Sequence, residues 1–168
     1  MKPWFFNQLI IVSVLVFLIS HAGAGDTGEM DVPEATDLAL LSLQSSQQNV
    51  PILIMYAAEY CEYCERLEAE VLGPMYESGQ YLDQVIIRKV MIDRTGDIRD
   101  FNGNPIDAAK FADQRGIEVT PTVQFVDAKG NELVPEMVGY NTPDLYAGYV
   151  DNAISKSRAA IMSAQAAR

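Results

Sequence analysis

Histidine and tryptophan occur once each in this chain of 168 residues, and cysteine only twice. Both His21 and Trp4 fall within the first two dozen residues, which have the layout of a segment to be removed. Lys2 precedes the apolar run Leu9 to Ile19 (LIIVSVLVFLI), and Ala22-Gly23-Ala24 supplies the small-x-small pattern that signal peptidase accepts. The run falls short of the roughly 20 apolar residues of a bilayer-spanning helix. We expect cleavage after Ala24 and a periplasmic or secreted chain, with a membrane anchor extended through Trp4 to Phe6 as the alternative. No cysteine stands directly after the run, so a lipid-anchored N-terminus is not expected. The mature chain would keep neither histidine nor tryptophan. That excludes Ser-His and Cys-His nucleophilic catalysis, and zinc sites with mixed Cys and His ligands.

Basic residues are scarce as well: 12 Lys and Arg stand against 23 Asp and Glu, a formal charge of -11. Lys2 is the one charged residue of the segment to be removed, so maturation deepens the imbalance. Nucleic acid is disfavoured as a partner, because affinity there rests on Lys and Arg neutralising phosphates. With 49% hydrophobic and 21% charged residues, the remainder has the profile of one globular domain. We divide the chain into a signal peptide at 1–24, a flexible N-terminal segment at 25–35, a domain at 36–157, and a helix extension or frayed tail at 158–168.

The two cysteines, Cys61 and Cys64, lie in YAAEYCEYCERLEAEVLG, Tyr56 to Gly73. Beyond the cytoplasm such a pair can exist as a disulfide. As a structural staple it is poorly placed, since stabilisation grows with the size of the loop closed. As a zinc site it is half filled unless two chains share it. A redox role remains.

Pro51 to Ala58 (PILIMYAA) reads as a short buried strand, and Glu62 to Leu72 as a helix with Cys64, Leu67 and Val71 on one side. Cys61 then sits at a helix N-terminus, where unpaired N–H groups and the helix dipole favour the reactive thiolate. Cys64, one turn in and more buried, can attack a mixed disulfide formed at Cys61. Further along, Gln84 to Asp93 is a second strand, and Ile106 to Arg115 a helix closed by Gly116. Thr122 to Val126 and Glu132 to Val138 are two more strands around the turn Asp127 to Gly130. Thr142 and Pro143 open a final helix, and a first helix precedes the first strand at about Asp37 to Gln48.

A CxxC at a strand-to-helix junction, GIEVTPT some 60 residues later, a hairpin around DAKG, and GY before a last helix together resemble the thioredoxin superfamily. The resemblance covers about Thr36 to Ser155 and is nearest to secreted periplasmic thioredoxin-like proteins, including those associated with sulfur oxidation, which share a DRTGD-type segment (here Asp93 to Asp97). It implies an α/β thioredoxin fold, three layers around a central four-stranded mixed sheet, with the N-terminal helix added. It further implies a cis Pro121, and backbone hydrogen bonds from Thr120 to a bound peptide. Tyr60, Glu62 and Tyr63 flank the thiols as candidate substrate contacts. The loop from Arg94 to about Pro105 reads as a tolerated surface loop, with partner docking as the alternative.

Two departures stand out. Ordinary members carry Trp-Cys-Gly-Pro-Cys where this chain has Tyr60-Cys61-Glu62-Tyr63-Cys64, and a buried Asp where it has Met55. That Asp helps to move the proton of the second cysteine, so Glu59 or a water is expected in its place. Lys89 matches the strand lysine of the family but without the buried acid reads as a surface charge. Glu65, Glu68 and Glu70 read as a solvated helix face, Tyr56 as core.

The resemblance implies a thiol:disulfide oxidoreductase needing no cofactor and no metal, with Cys61 as nucleophile and Cys64 as resolving thiol. Glu62 raises the energy of a Cys61 thiolate and lowers the reduction potential by on the order of 20 mV. That leans the site toward a reductant without settling it; the resemblance implies a reductase, acting as a monomer on oxidised proteins or sulfur-compound disulfides and recharged by a membrane thiol donor. A disulfide oxidase, an isomerase, or a non-catalytic binding module are the alternatives. Isomerases of this kind carry an extra N-terminal domain for which Gly25 to Asp37 is too short. Copper chaperones of this fold carry Cys-x-x-x-Cys and a distant His, which this chain lacks.

Overall fold

The computed structural model describes residues 31–167; the expected signal segment and its cleavage site lie outside the described residues. In chain order the elements are α1 (Leu38–Gln48), β1 (Ile52–Ala57), α2 (Glu62–Leu67), a π-helical turn (Glu68–Leu72), α3 (Gly73–Glu77), β2 (Ile86–Met91), β3 (Asp97–Arg99), β4 (Pro105–Asp107), α4 (Ala108–Gln114), β5 (Thr122–Val126), β6 (Glu132–Val138) and α5 (Pro143–Ala166).

ILIMYA of β1 is buried at all six positions. A strand covered on both faces needs a continuous apolar run rather than alternation, and the sheet order β2-β1-β5-β6 puts β1 in the interior. It pairs in parallel with β2 and antiparallel with β5, and β6 closes the edge antiparallel to β5. Because side chains alternate across a strand, Leu53, Met55 and Ala57 enter one core with Leu67, Val71, Val150 and Ile154. Ile52, Ile54 and Tyr56 enter the other with Leu38, Leu41, Phe111 and Ala112. The result is a thioredoxin fold: a four-stranded mixed sheet between helical layers, with α1 added ahead of it.

Three local features differ from the sequence-based expectation. The helix after the cysteines does not stop at Leu72. Pro74 lacks an N–H and its ring clashes with the carbonyl four residues back in an α-helix; the π turn widens the ladder just before it, and helix resumes to Glu77. The segment Arg94 to Asn104 is not a bare loop, because Asp97–Arg99 and Pro105–Asp107 form a two-stranded ribbon. Ile98 from that ribbon is buried in the second core, with Phe101 packed against it. Residues 31–35, expected as flexible, lie along β2: Val32 and Ala35 are buried, the Ala35 N–H donates to the Lys89 carbonyl at 2.7 Å, and the Lys89 N–H donates to that of Pro33 at 3.0 Å. The last helix runs from Pro143 to Ala166. Among the described residues no helix is long and apolar enough to cross a membrane.

Candidate active site

After β1 the chain leaves the sheet through Ala58-Glu59 and turns at Tyr60, whose φ of 57° is unusual for a residue with a bulky side chain. That turn throws Tyr60 into solvent, 98% exposed, and delivers Cys61 to the N-cap of α2. Cys61 Sγ accepts the Cys64 N–H at 3.2 Å and faces the Thr120 hydroxyl, which donates to it at 3.6 Å. Cys64, a turn further in, is 3% exposed. The two sulfurs are joined in a disulfide, with the Cα atoms 5.2 Å apart. The Thr120–Pro121 peptide bond is cis, and the Pro121 carbonyl accepts the Gly139 N–H at 2.8 Å.

Of the residues singled out in the sequence, Cys61, Cys64 and Thr120 are in direct contact, and Pro121 follows immediately in the same loop. Glu62 and Tyr63 occupy the first turn of α2 and project to solvent, Tyr63 at 57% exposure. Tyr60 is exposed as well, so the residues flanking the two thiols, Tyr60, Glu62 and Tyr63, give the outer side of the disulfide two aromatic rings and one carboxylate. Tyr56 is wholly buried, where its hydroxyl donates to Gln124 Oε1 at 3.1 Å.

The inner side is polar. A cleft of about 650 Å³ is lined by Cys64, Glu65, Glu68, Lys89, Asp31, and the mouth residues Glu34, Glu59 and Arg94 among others. Lys89, read from the sequence as a surface charge, is buried at 8% exposure. Its ammonium donates to both Glu68 carboxylate oxygens, at 2.9 and 3.1 Å, and also to Asp31. Glu68 is likewise not on a solvated face; one oxygen also accepts the Val32 N–H.

Burial and the adjacent Asp31 carboxyl push the Glu68 carboxyl above its ordinary value, against the pull of Lys89. Hydrogen bonding within the cluster, from Glu68 and then Lys89, holds Asp31 below its own. Burial draws Lys89 down, but the two carboxylates outweigh it and leave it raised. Met55, standing where the family has an acid, is the cross-strand partner of Lys89 in the β1–β2 ladder. The lysine thus keeps a carboxylate, delivered from the helix instead of from the strand. Glu59, expected as a base, is tied to Arg94 at 3.0 Å at the exposed mouth.

Glu68 could have been found from spacing: it follows Cys64 by four residues, one turn along the same helix face. Nothing in the sequence marked Asp31.

A disulfide at a strand-to-helix junction, a cis-proline loop against its outer sulfur, and a four-stranded mixed sheet behind define the class of thioredoxin-fold proteins with a thiol pair able to open and close. The chain belongs to the thioredoxin-like domain family, which it matches over residues 43–154. No curated protein matches the sequence. Among solved structures it is similar to a DsbH oxidoreductase, at 16% identity and TM-score 0.53, over 74% of this chain and 86% of that one. It is also similar to a thioredoxin of Fasciola hepatica, at 16% identity and TM-score 0.50, over 74% of this chain and 98% of that one. At such identities the likeness is one of fold.

Proposed function

We propose that this chain is an extracytoplasmic thiol:disulfide reductase. The observation that carries the reading is the position of Cys61: at a helix N-cap, with two donors on its sulfur, and bonded to a buried partner thiol. In the reduced protein the same donors favour the Cys61 thiolate. It attacks one sulfur of a substrate disulfide, forming a mixed disulfide and releasing the first substrate thiolate. Cys64 then attacks Cys61 Sγ, the mixed disulfide breaks, and the second substrate thiolate leaves; two electrons have passed to the substrate and the Cys61–Cys64 bond has formed.

The direction follows from charge. Glu62 and Glu65 lie in the first turn of α2, where they oppose the helix dipole's support for a thiolate. Destabilising the thiolate disfavours the reduced state and makes the dithiol the better reductant. Substrates are oxidised proteins or small sulfur-compound disulfides meeting Tyr60 and Tyr63 beside the thiols. A membrane thiol carrier outside the cytoplasm restores the dithiol.

The test is equilibration of residues 25–168 against graded glutathione ratios, with free thiols alkylated and counted by mass. The expected midpoint lies below about -220 mV, in the range of thioredoxins and glutaredoxins. A midpoint between about -180 and -120 mV would replace the reductase with an oxidase or isomerase. A Cys61→Ser, Cys64→Ser variant that retains full function in cells would leave only a binding module.

A further inference from the structure

We infer that Glu68 is the proton acceptor for Cys64, and that Asp31, through their shared Lys89, is the residue that positions it. The inference rests on the exchange chemistry just proposed and names the acid–base group of its second step. Cys64 resolves a mixed disulfide only as a thiolate, yet it is 3% exposed and enters that step as a thiol. Its proton needs an acceptor on the inner side, since the outer side is filled by the mixed disulfide itself.

The titratable groups facing Glu68 and Cys64 across the cleft can be taken in turn. Lys89, on β2, is a cation engaged by both carboxylates. Arg94 holds Glu34 and Glu59 at the mouth. Glu65 lies in the first turn of α2 and is exposed. Among the described residues Glu68 alone is a carboxylate drawn into the cleft one turn after Cys64, its oxygens aimed at Lys89 and the Val32 N–H rather than at solvent. Its raised affinity for a proton moves it toward that of a thiol, which is the match that general base catalysis requires.

The balance of the step is simple. The Cys64 Sγ–H proton passes to a Glu68 oxygen, directly or through one water in the cleft. The Cys64 thiolate attacks Cys61 Sγ, the Cys61–substrate S–S bond breaks, and its electron pair leaves with the substrate thiolate. That thiolate takes up a proton from solvent on the outer side, and Glu68 returns the Cys64 proton to solvent through the cleft. Asp31 enters because it holds the other side of the Lys89 ammonium; without it the lysine would turn wholly onto Glu68 and lower its basicity.

Mixing the reduced protein with an excess of an aromatic disulfide whose released thiolate is coloured separates the two steps. A first phase, dependent on reagent concentration, reports attack by Cys61; a second, independent of it, reports resolution by Cys64. Glu68→Gln is expected to slow the second phase by about 100-fold near neutral pH, leave the first phase within about twofold, and remove the low-pH inflection of the second-phase rate. Asp31→Asn is expected to move that inflection to lower pH. Glu59→Gln is expected to leave both phases unchanged.

A second phase of wild-type rate and pH profile in Glu68→Gln would overturn the assignment, as would a loss found in Glu59→Gln instead. If Glu68→Gln is poorly folded, Glu68→Asp serves: a shortened base slows the second phase while keeping the inflection, and a phase left at full speed counts against the assignment. Because the probe is artificial, these outcomes do not depend on the midpoint potential; a strongly oxidising midpoint would sink the reductase and leave the role of Glu68 to be judged on its own.

Discussion

Thr120 and Tyr146 are single hydroxyls with opposite expected effects. The Thr120 hydroxyl is one of two donors to Cys61 Sγ. A hydrogen bond of this kind contributes about 1 kcal/mol, so Thr120→Ala should slow the attack of Cys61 on a model disulfide by about fivefold, measured as a second-order rate. The Tyr146 hydroxyl is buried with no partner among the described residues. Removing an unsatisfied buried polar atom relieves its desolvation cost. Tyr146→Phe should raise stability by up to about 1 kcal/mol, read as a shift of the urea midpoint without change in slope.

For the elements, the ribbon β3–β4 is the part whose role the sequence concealed. Phe101, between its strands, approaches Gly130 in the β5–β6 turn so closely that a Cβ there would meet the ring at 2.6 Å, and Gly130 has a φ of +81°. The Arg115 guanidinium lies over the same ring and donates to the Gly130 carbonyl at 2.6 Å. Gly130→Ala therefore incurs both backbone strain and a clash, and should cost more than about 1 kcal/mol in denaturant unfolding. Asp37 begins α1 by accepting the Leu40 N–H at 2.9 Å; Asp37→Ala should cost about 1 kcal/mol by the same measurement.

The strands of the main sheet and α5 were legible because their signals are local: short apolar segments bounded by turn residues, and Thr142 and Pro143 opening the last helix. The ribbon was not, since three-residue strands have too short a pattern to read and are held by Phe101 and Ile98 reaching a distant core. For the site, Cys61 and Cys64 were legible from spacing and flanks alone. The polar cluster behind them was not: Lys89 and Asp31 are 58 residues apart and meet only once the N-terminal segment lies along β2.

At the scale of the whole molecule, tyrosine ionisation links the fold to alkaline pH. Burial pushes Tyr56 and Tyr146 up to about 12; burial and the Glu70 carboxylate do the same for Tyr140, and the Asp151 carboxylate for Tyr81. Each has a folded value raised above the ordinary 10. Between about 10 and about 12 the unfolded chain has lost these protons while the folded chain retains them. Stability is therefore intact below the lower value and falls as pH rises through the window. Tyrosinate absorbance should rise in two stages, the later one coinciding with loss of far-ultraviolet circular dichroism; a single stage near 10 with the fold intact would contradict it.

The strap of residues 31–35 bears on what can be transplanted. Grafting the stretch from Cys61 to Glu77 onto another scaffold of this fold would carry over both thiols and Glu68, but neither Asp31 nor the Val32 N–H that hold Glu68 in place. The matched family span opens at residue 43, past all of them. A chimera built to those limits would exchange its thiols with a proton acceptor left loose. The heritable unit of this active site thus includes a piece of chain that lies ahead of the family's own span.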